Sequence, residues 1–206
     1  MSWAHRAARN LMPLSLEQYD LAVALQEWVY ERNVVVLESP REVCQLCDHP
    51  RLRYQFEIFN QYTGHSLYIG SECIKRFAIG VRSEGGAVIT GEAADRSVDA
   101  DRRRMEQEAR DRSVLNSLVE LAATDDEFDL EGLVAYYQRR GVFTPSQMAL
   151  LQWRFQRCGV AHEPACFKVS LRRHREQEQL RRMPGWKVRR LWAYLSSQQR
   201  QWVEMR

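Results

Sequence analysis

Three of the chain's five cysteines fall close together: Cys44 and Cys47 stand in "CQLC", and Cys73 follows a stretch that reads as a β-hairpin. No other feature limits the fold as much. A C-x2-C turn aims both sulfurs at one point, and a hairpin returns the chain so that Cys73 can reach the same point. If Cys73 opens a helix, the positive end of that helix favours its thiolate. In a reducing compartment such clustering points to a metal sooner than to disulfides. No apolar run approaches a membrane span, and residues 1–10 carry Arg6 and Arg9 without the apolar stretch of a signal peptide, so the chain is expected in the cytoplasm. The competing reading is three small core residues without a metal.

The sequence between the cysteines supports the hairpin. Tyr54, Phe56 and Ile58 alternate with Gln55, Glu57 and Phe59, "NQYTG" turns the chain, and Leu67 and Ile69 alternate on the way back. Gly70-Ser71 ends the return strand, and Ser71 is placed to cap a helix starting with Glu72 and Cys73. A closed structural zinc site takes four ligands, so a histidine must complete the three thiols. His65 lies just after the hairpin turn, far along the strand from Cys73. His49 lies two residues after Cys47, a tight but closer placement. The expected set is therefore Cys44, Cys47, His49 and Cys73 around one structural Zn2+, with His65 as the other choice. Knuckle, hairpin and helix in this order make a treble-clef-like arrangement.

Elsewhere the patterns are mostly helical. Ser15 and Gln18 read as a capping box opening a helix over 16–30, and "NVVVLES" (33–39) reads as a strand. "AIGVRSEGGAVITGEA" reads as a loop or linker. Residues 92–131 hold thirteen acids and six arginines, with Val114, Leu118 and Leu121 spaced for one buried face. Thr144-Pro145-Ser146-Gln147 is a strong helix start, and that helix, carrying Met148, Leu151, Trp153 and Phe155, should stop at Gly159. Two further helices are expected over 167–182 and 197–204. The expected fold class is α+β: a small N-terminal treble-clef-like zinc finger with a larger, mostly α-helical body. Its divisions are 1–80 for the finger region, 81–95 for a linker and 96–206 for a helical domain with a basic end. Cys158, His162 and Cys166 invite a second metal site, but core packing is the plainer reading. The acids of "TDDEFD" (124–129) read as helix caps before they read as a Mg2+ site.

The charge is uneven. The chain carries a net charge of +3, yet from Phe167 onward eleven Lys and Arg face three Glu, which leaves the remainder acidic. A basic end of this kind suits a polyanionic partner, DNA or RNA. The candidate contacts are Lys168, Arg172, Arg173, Arg175, Arg181 and Arg182, then Lys187, Arg189 and Arg190 interleaved with Trp186, Trp192 and Tyr194. Trp186, beside Gly185, is the aromatic best placed to stack on a base, whereas Trp192 reads as core. Lys75 and Arg76, on the finger's helix, are further candidates. No glycine-rich phosphate loop, nucleophile elbow or ordered nucleophile, base and acid is present, so neither an enzyme nor a small-molecule substrate is expected.

The pattern CxxCxH…RYxFEIxNxxTGxxLxxGSxCIxxF resembles a zinc-finger segment of phage- and plasmid-encoded proteins. It rests on Cys44, Cys47, His49, Tyr54, Phe56, Asn60, Thr63, Gly64, Gly70, Cys73 and Phe77. "RGVFTPSQMALLQWRF" is similar to the helical tail that often follows that finger. At the scale of the whole chain, the resemblance is to the small Cas8-like zinc-finger subunit of type IV CRISPR complexes. It implies a subunit of a defence nucleoprotein complex that lies beside the crRNA 5′ end and reads the duplex DNA flanking a target (PAM recognition). The alternatives are an accessory protein of phage or plasmid recombination or replication, and a zinc-finger protein–protein adaptor.

Overall fold

Residues 2–37, 42–125 and 128–205 are described by a computed structural model. The chain divides into two units, Met1–Gln107 and Glu108–Arg206. Helices and a five-stranded sheet make the architecture α+β. Among the described residues, no helix is long and apolar enough to cross a membrane.

The first unit opens with helix α1 (Trp3–Leu11), capped by the Ser2 hydroxyl, and the short α2 (Leu21–Leu25), capped by Asp20. The sheet then runs β1 (Trp28–Val36), β2 (Tyr54–Asn60) and β3 (Ser66–Ile69), followed by α3 (Ser71–Arg76), β4 (Gly80–Arg82) and β5 (Val88–Ile89). Its order is β3-β2-β1-β4-β5, antiparallel except for the β1–β4 pair. The hairpin forms, and Phe56, Ile58, Leu67 and Ile69 are buried as expected, although Gln55 is buried as well and Tyr54 only partly. Those four apolar residues join Trp28, Tyr30, Ile74, Val81 and the three clustered cysteines in one core. Each large side chain fully buried there contributes about 1.5–3 kcal/mol.

Two expectations fail in this unit. The helix over 16–30 does not form: β1 begins at Trp28, and only Leu21–Leu25 are α-helical. Ser15 is buried, donating to the Leu11 carbonyl and accepting from the Trp28 indole (2.8 Å), so its hydroxyl caps no helix N-terminus. The amides of Leu16 and Glu17, which a capping box would have left inside a helix, donate to the Glu27 carboxylate instead. The expected linker also proves structured. β4 and β5 pair around a turn at Gly86 (φ 82°), and helix α4 (Gly91–Thr124) has already begun by 92. Gly80 is required there, because a Cβ would lie 2.6 Å from the Val88 Cγ1. Of the strand expected over 33–39, residues 33–36 belong to β1; 38 and 39 lie outside the described residues.

A β-bulge between Tyr30 and Val34 puts Arg32 at positive φ (64°). Its guanidinium grips Asp101 of α4 at 2.7 and 3.0 Å, and Tyr30 donates to the same carboxylate. The left-handed residue thus anchors the helix to the sheet.

The second unit contains the end of α4, α5 (Glu131–Arg140), α6 (Pro145–Cys158), α7 (His174–Arg181), α8 (Gly185–Leu191) and α9 (Ser197–Glu204). α6 matches its expectation: Thr144 and Gln147 form a capping box, and Gly159 ends the helix at φ 68°. Val114, Leu118 and Leu121 are all buried, as are Met148, Leu151 and Phe155, but Trp153 is exposed. The helix expected over 167–182 is shorter, because residues 167–173 are extended. Phe143 donates to the Lys168 carbonyl and accepts from the Ser170 amide, which holds that segment as a bridge. α8 was not expected at all; it begins directly after Pro184.

Candidate metal centre

The knuckle is built by backbone hydrogen bonds. The Asp48 amide donates to the Cys44 carbonyl, and the Cys44 amide donates to the His49 carbonyl, both at 2.9 Å. Asp48 turns the chain at φ 59°. That left-handed residue is held from α1: Arg9 pairs with its carboxylate at 2.6 Å, and the Asn10 amide donates to it at 2.9 Å. Arg6 also donates to the Cys47 carbonyl at 2.7 Å, and Asn10 to the Leu46 carbonyl. Gln45 ties the knuckle to Tyr68 of β3. Cys73 arrives from the other side in the first turn of α3, whose cap is Gly70 rather than the expected Ser71.

The result is three buried thiols with Sγ atoms all within 4.8 Å of one another. Cys44 and Cys73 lie 3.7 Å apart, and Cys73 and Cys47 3.2 Å. A disulfide would need about 2.05 Å, and all three cysteines are free. A tetrahedral ion with bonds of about 2.3 Å to sulfur sets its ligands roughly 3.8 Å apart, so the spacing suits a shared metal. The donors around the sulfurs suit it as well. Hydrogen bonding from Cys73 and from the amides of Gly70, Cys47 and Leu46 outweighs burial and brings the Cys44 thiol down to about 5. Hydrogen bonding to Cys44, then burial, pushes the Cys73 thiol up, and burial raises Cys47. Among the described residues, this is the one group of three or more His, Cys, Asp or Glu placed to hold a metal ion.

The histidines do not join the three thiols. His49 is exposed but lines the same cavity, along with Glu72 and Glu106. His65 sits at the hairpin tip, with Nδ1 3.1 Å from the Thr63 hydroxyl, and does not line that cavity. Cys158, His162 and Cys166 form no second group. The Cys158 thiol approaches Asp125, while His162 meets the Tyr194 hydroxyl at 2.6 Å and stacks on Phe155. In "TDDEFD", Asp125 is buried against Arg154 (2.6 Å) and Asp129 accepts from the Glu131 amide; 126 and 127 lie outside the described residues.

The basic candidates sort by what already holds them. Lys75 is neutralised by Asp99 at 2.6 Å, bracing α3 against α4, whereas Arg76 is exposed and lies over the Trp3 ring. In the second unit Lys168, Arg172, Arg173, Arg175, Arg181, Arg182, Lys187, Arg189 and Arg190 are all exposed. Glu178 pairs with Arg182 at 2.8 Å and with Arg181 at 3.5 Å. Trp186 is 49% exposed, with Lys187 and Arg190 over its ring at 5.4 and 5.1 Å. Trp192 is partly buried against the core, as expected. Burial, with Arg110 and Arg172 nearby, lowers the Lys168 ammonium pKa, and Asp111 opposes the shift.

Sequence reading missed Arg6, Arg51, Arg53 and Arg102, which line the cavity beside the thiols. The "RLR" between knuckle and hairpin was the available signal, a pair of cations inside the finger itself. No protein-family model matches the chain, and neither the curated proteins nor the solved structures give a match.

Proposed function

We propose, as a class, that the chain is a zinc-stabilised, non-enzymatic nucleic-acid-binding protein: a treble-clef-like finger followed by a basic helical body. More particularly, we propose that it is the small Cas8-like subunit of a type IV CRISPR complex. There it works in the cytoplasm as part of an antiviral ribonucleoprotein, contacting crRNA and the duplex DNA that flanks the target.

The observation that carries the nucleic-acid reading is the exposed cationic run around Trp186. Arg172, Arg173, Arg175, Lys187, Arg189 and Arg190 make no ion pair among the described residues, so their charge is available to phosphates. The half-exposed indole between two cations adds a stacking surface. The three convergent thiols support the zinc assignment; His49 lines the same cavity and would turn toward them to serve as the fourth ligand. A zinc ion there is structural, cross-linking the knuckle to α3. Leu16, Tyr19 and Tyr62 are largely exposed, which suits a chain that docks against other subunits.

The test combines metal analysis with salt-dependent binding. Purified protein should hold about one zinc per chain. Neutralising Arg172, Arg173, Lys187, Arg189 and Arg190 should weaken binding to all sequences and flatten the log-affinity against log-salt slope by about 0.9 per lost duplex contact. Trp186→Ala should lower affinity with little change in slope. Unchanged affinity and slope in the charge variants would favour the adaptor. Failure to assemble with crRNA and the other subunits would remove the particular assignment while leaving the class.

A further inference from the structure

The first unit as a whole is slightly acidic, with thirteen Lys and Arg against fifteen Asp and Glu. Most of its described basic residues are paired: Arg9 with Asp48, Arg32 and Arg104 with Asp101, Lys75 and Arg102 with Asp99, Arg82 with Glu31 and Arg96 with Glu92. The cavity beside the thiols departs from that pattern in part, although Arg6 donates to the Cys47 carbonyl and Arg102 pairs with Asp99 at 3.7 Å. It encloses about 460 Å3, and Arg6, Arg51, Arg53, Arg76 and Arg102 line it against two acids, Glu72 and Glu106. Arg51, Arg53 and Arg76 are exposed and make no ion pair among the described residues. The Arg102 Nε is buried with no hydrogen-bond partner. Arg51 also holds a left-handed backbone (φ 62°), a strained conformation for a long side chain. Three unpaired guanidinium groups, with those of Arg6 and Arg102 beside them, concentrate positive charge at one concave place in a slightly acidic unit.

We infer that this cavity binds one nucleotide of a single nucleic-acid strand, with its phosphate on the arginines and its base against Trp3 or Tyr54. Planar guanidinium forks match phosphate oxygens in pairs, which a lysine cannot do. Both rings line the cavity and already carry cations, Arg76 over Trp3 and Arg53 over Tyr54 at 5.8 Å. Stacking on such rings tolerates any base. The volume falls within the roughly 300–1,000 Å3 of small-ligand sites. The metal centre forms one wall, so the knuckle fixes the distance between the thiols and the strand. This assignment rests on the nucleic-acid reading and adds a second contact to it, on the finger.

The experiment uses the zinc-loaded full chain and a fluorescein-labelled twelve-nucleotide single strand, followed by anisotropy over a salt series. The double variant R51Q/R53Q should bind roughly ten- to thirtyfold more weakly at 0.1 M salt. Its log–log slope should fall by about 1.4, the value for two single-strand phosphate contacts. Zinc content and circular dichroism should match the wild type; should the double variant not fold, Arg76→Gln on the surface of α3 serves the same test with half the slope change. Millimolar AMP should displace the strand's end from the wild type more effectively than inorganic phosphate does. If cavity variants bind like the wild type while R189Q/R190Q weakens binding, the cavity assignment is wrong and the nucleic-acid reading stands. If the wild type binds no strand at all, both fall.

Discussion

Replacing Glu27 by Gln tests the most unexpected part of the first unit. The carboxylate is 6% exposed and accepts three hydrogen bonds, from the Leu16 amide at 2.8 Å, the Glu17 amide at 2.7 Å and the Asn60 side chain at 2.8 Å. Burial alone would raise its pKa, but the Asn60 side chain and the two amides outweigh burial and hold it below 4.5. Hydrogen bonds to a charged group contribute about 1.5–3 kcal/mol each. Glutamine keeps one acceptor oxygen and turns its NH2 toward at least one donor, so one bond is lost outright and the others weaken. The expected loss is about 2–4 kcal/mol at pH 7, or very roughly 5–15 °C in Tm for a chain of this size. The sign with pH follows from the depressed pKa. The ionised carboxylate stabilises fully above 4.5, and that advantage fades as the pH falls through the lower folded value. Urea unfolding followed by circular dichroism should therefore show the gap between wild type and variant closing as the pH falls through 4.5 and then through the lower folded value. A gap under about 0.5 kcal/mol at pH 7, or one that stays constant in acid, would refute the argument.

Chelation of the metal, or Cys73→Ser, should reduce bound zinc from about one per chain to none and expose the first unit to limited proteolysis, read by metal analysis and gel. Gly80→Ala should cost about 1–3 kcal/mol in urea unfolding, because the new Cβ meets the Val88 Cγ1 at 2.6 Å. Asp101→Asn leaves the Arg32 guanidinium without its buried partner and should cost about 3 kcal/mol by the same measurement.

What the sequence disclosed depended on how local the cause was. The hairpin, the Thr144 capping box and the Gly159 stop are decided by residues a few positions apart, and all three were legible. The helix expected over 16–30 was misread because its cap signal was real but claimed elsewhere: Trp28 took the Ser15 hydroxyl, and Glu27 took the Leu16 and Glu17 amides. Asp20, the residue that does cap a helix, sits inside the span assigned to the longer one. The extended 167–173 segment depends on Phe143, more than twenty residues away, so no local propensity could report it.

The same division applies to the site. Cys44 and Cys47 were readable because two residues between thiols set the geometry of a knuckle, and Cys73 because the hairpin returns to it. The arginine cavity was not readable, since its walls come from α1, the 49–54 stretch, α3 and α4. The clamp of Arg6, Arg9 and Asn10 on the knuckle, together with the buried Ala7 and Leu11 and the Arg76–Trp3 contact, brings the first of these walls to the others. The three clamping side chains therefore act on the cavity through the Leu46 and Cys47 carbonyls and the Asp48 carboxylate. That gives α1 a role its own sequence did not announce: it sets where Trp3 stands relative to the thiols. A strand bound in the cavity, as inferred above, would contact α1 and the Cys44–Cys47 knuckle together, and loosening either should weaken the other's hold on it.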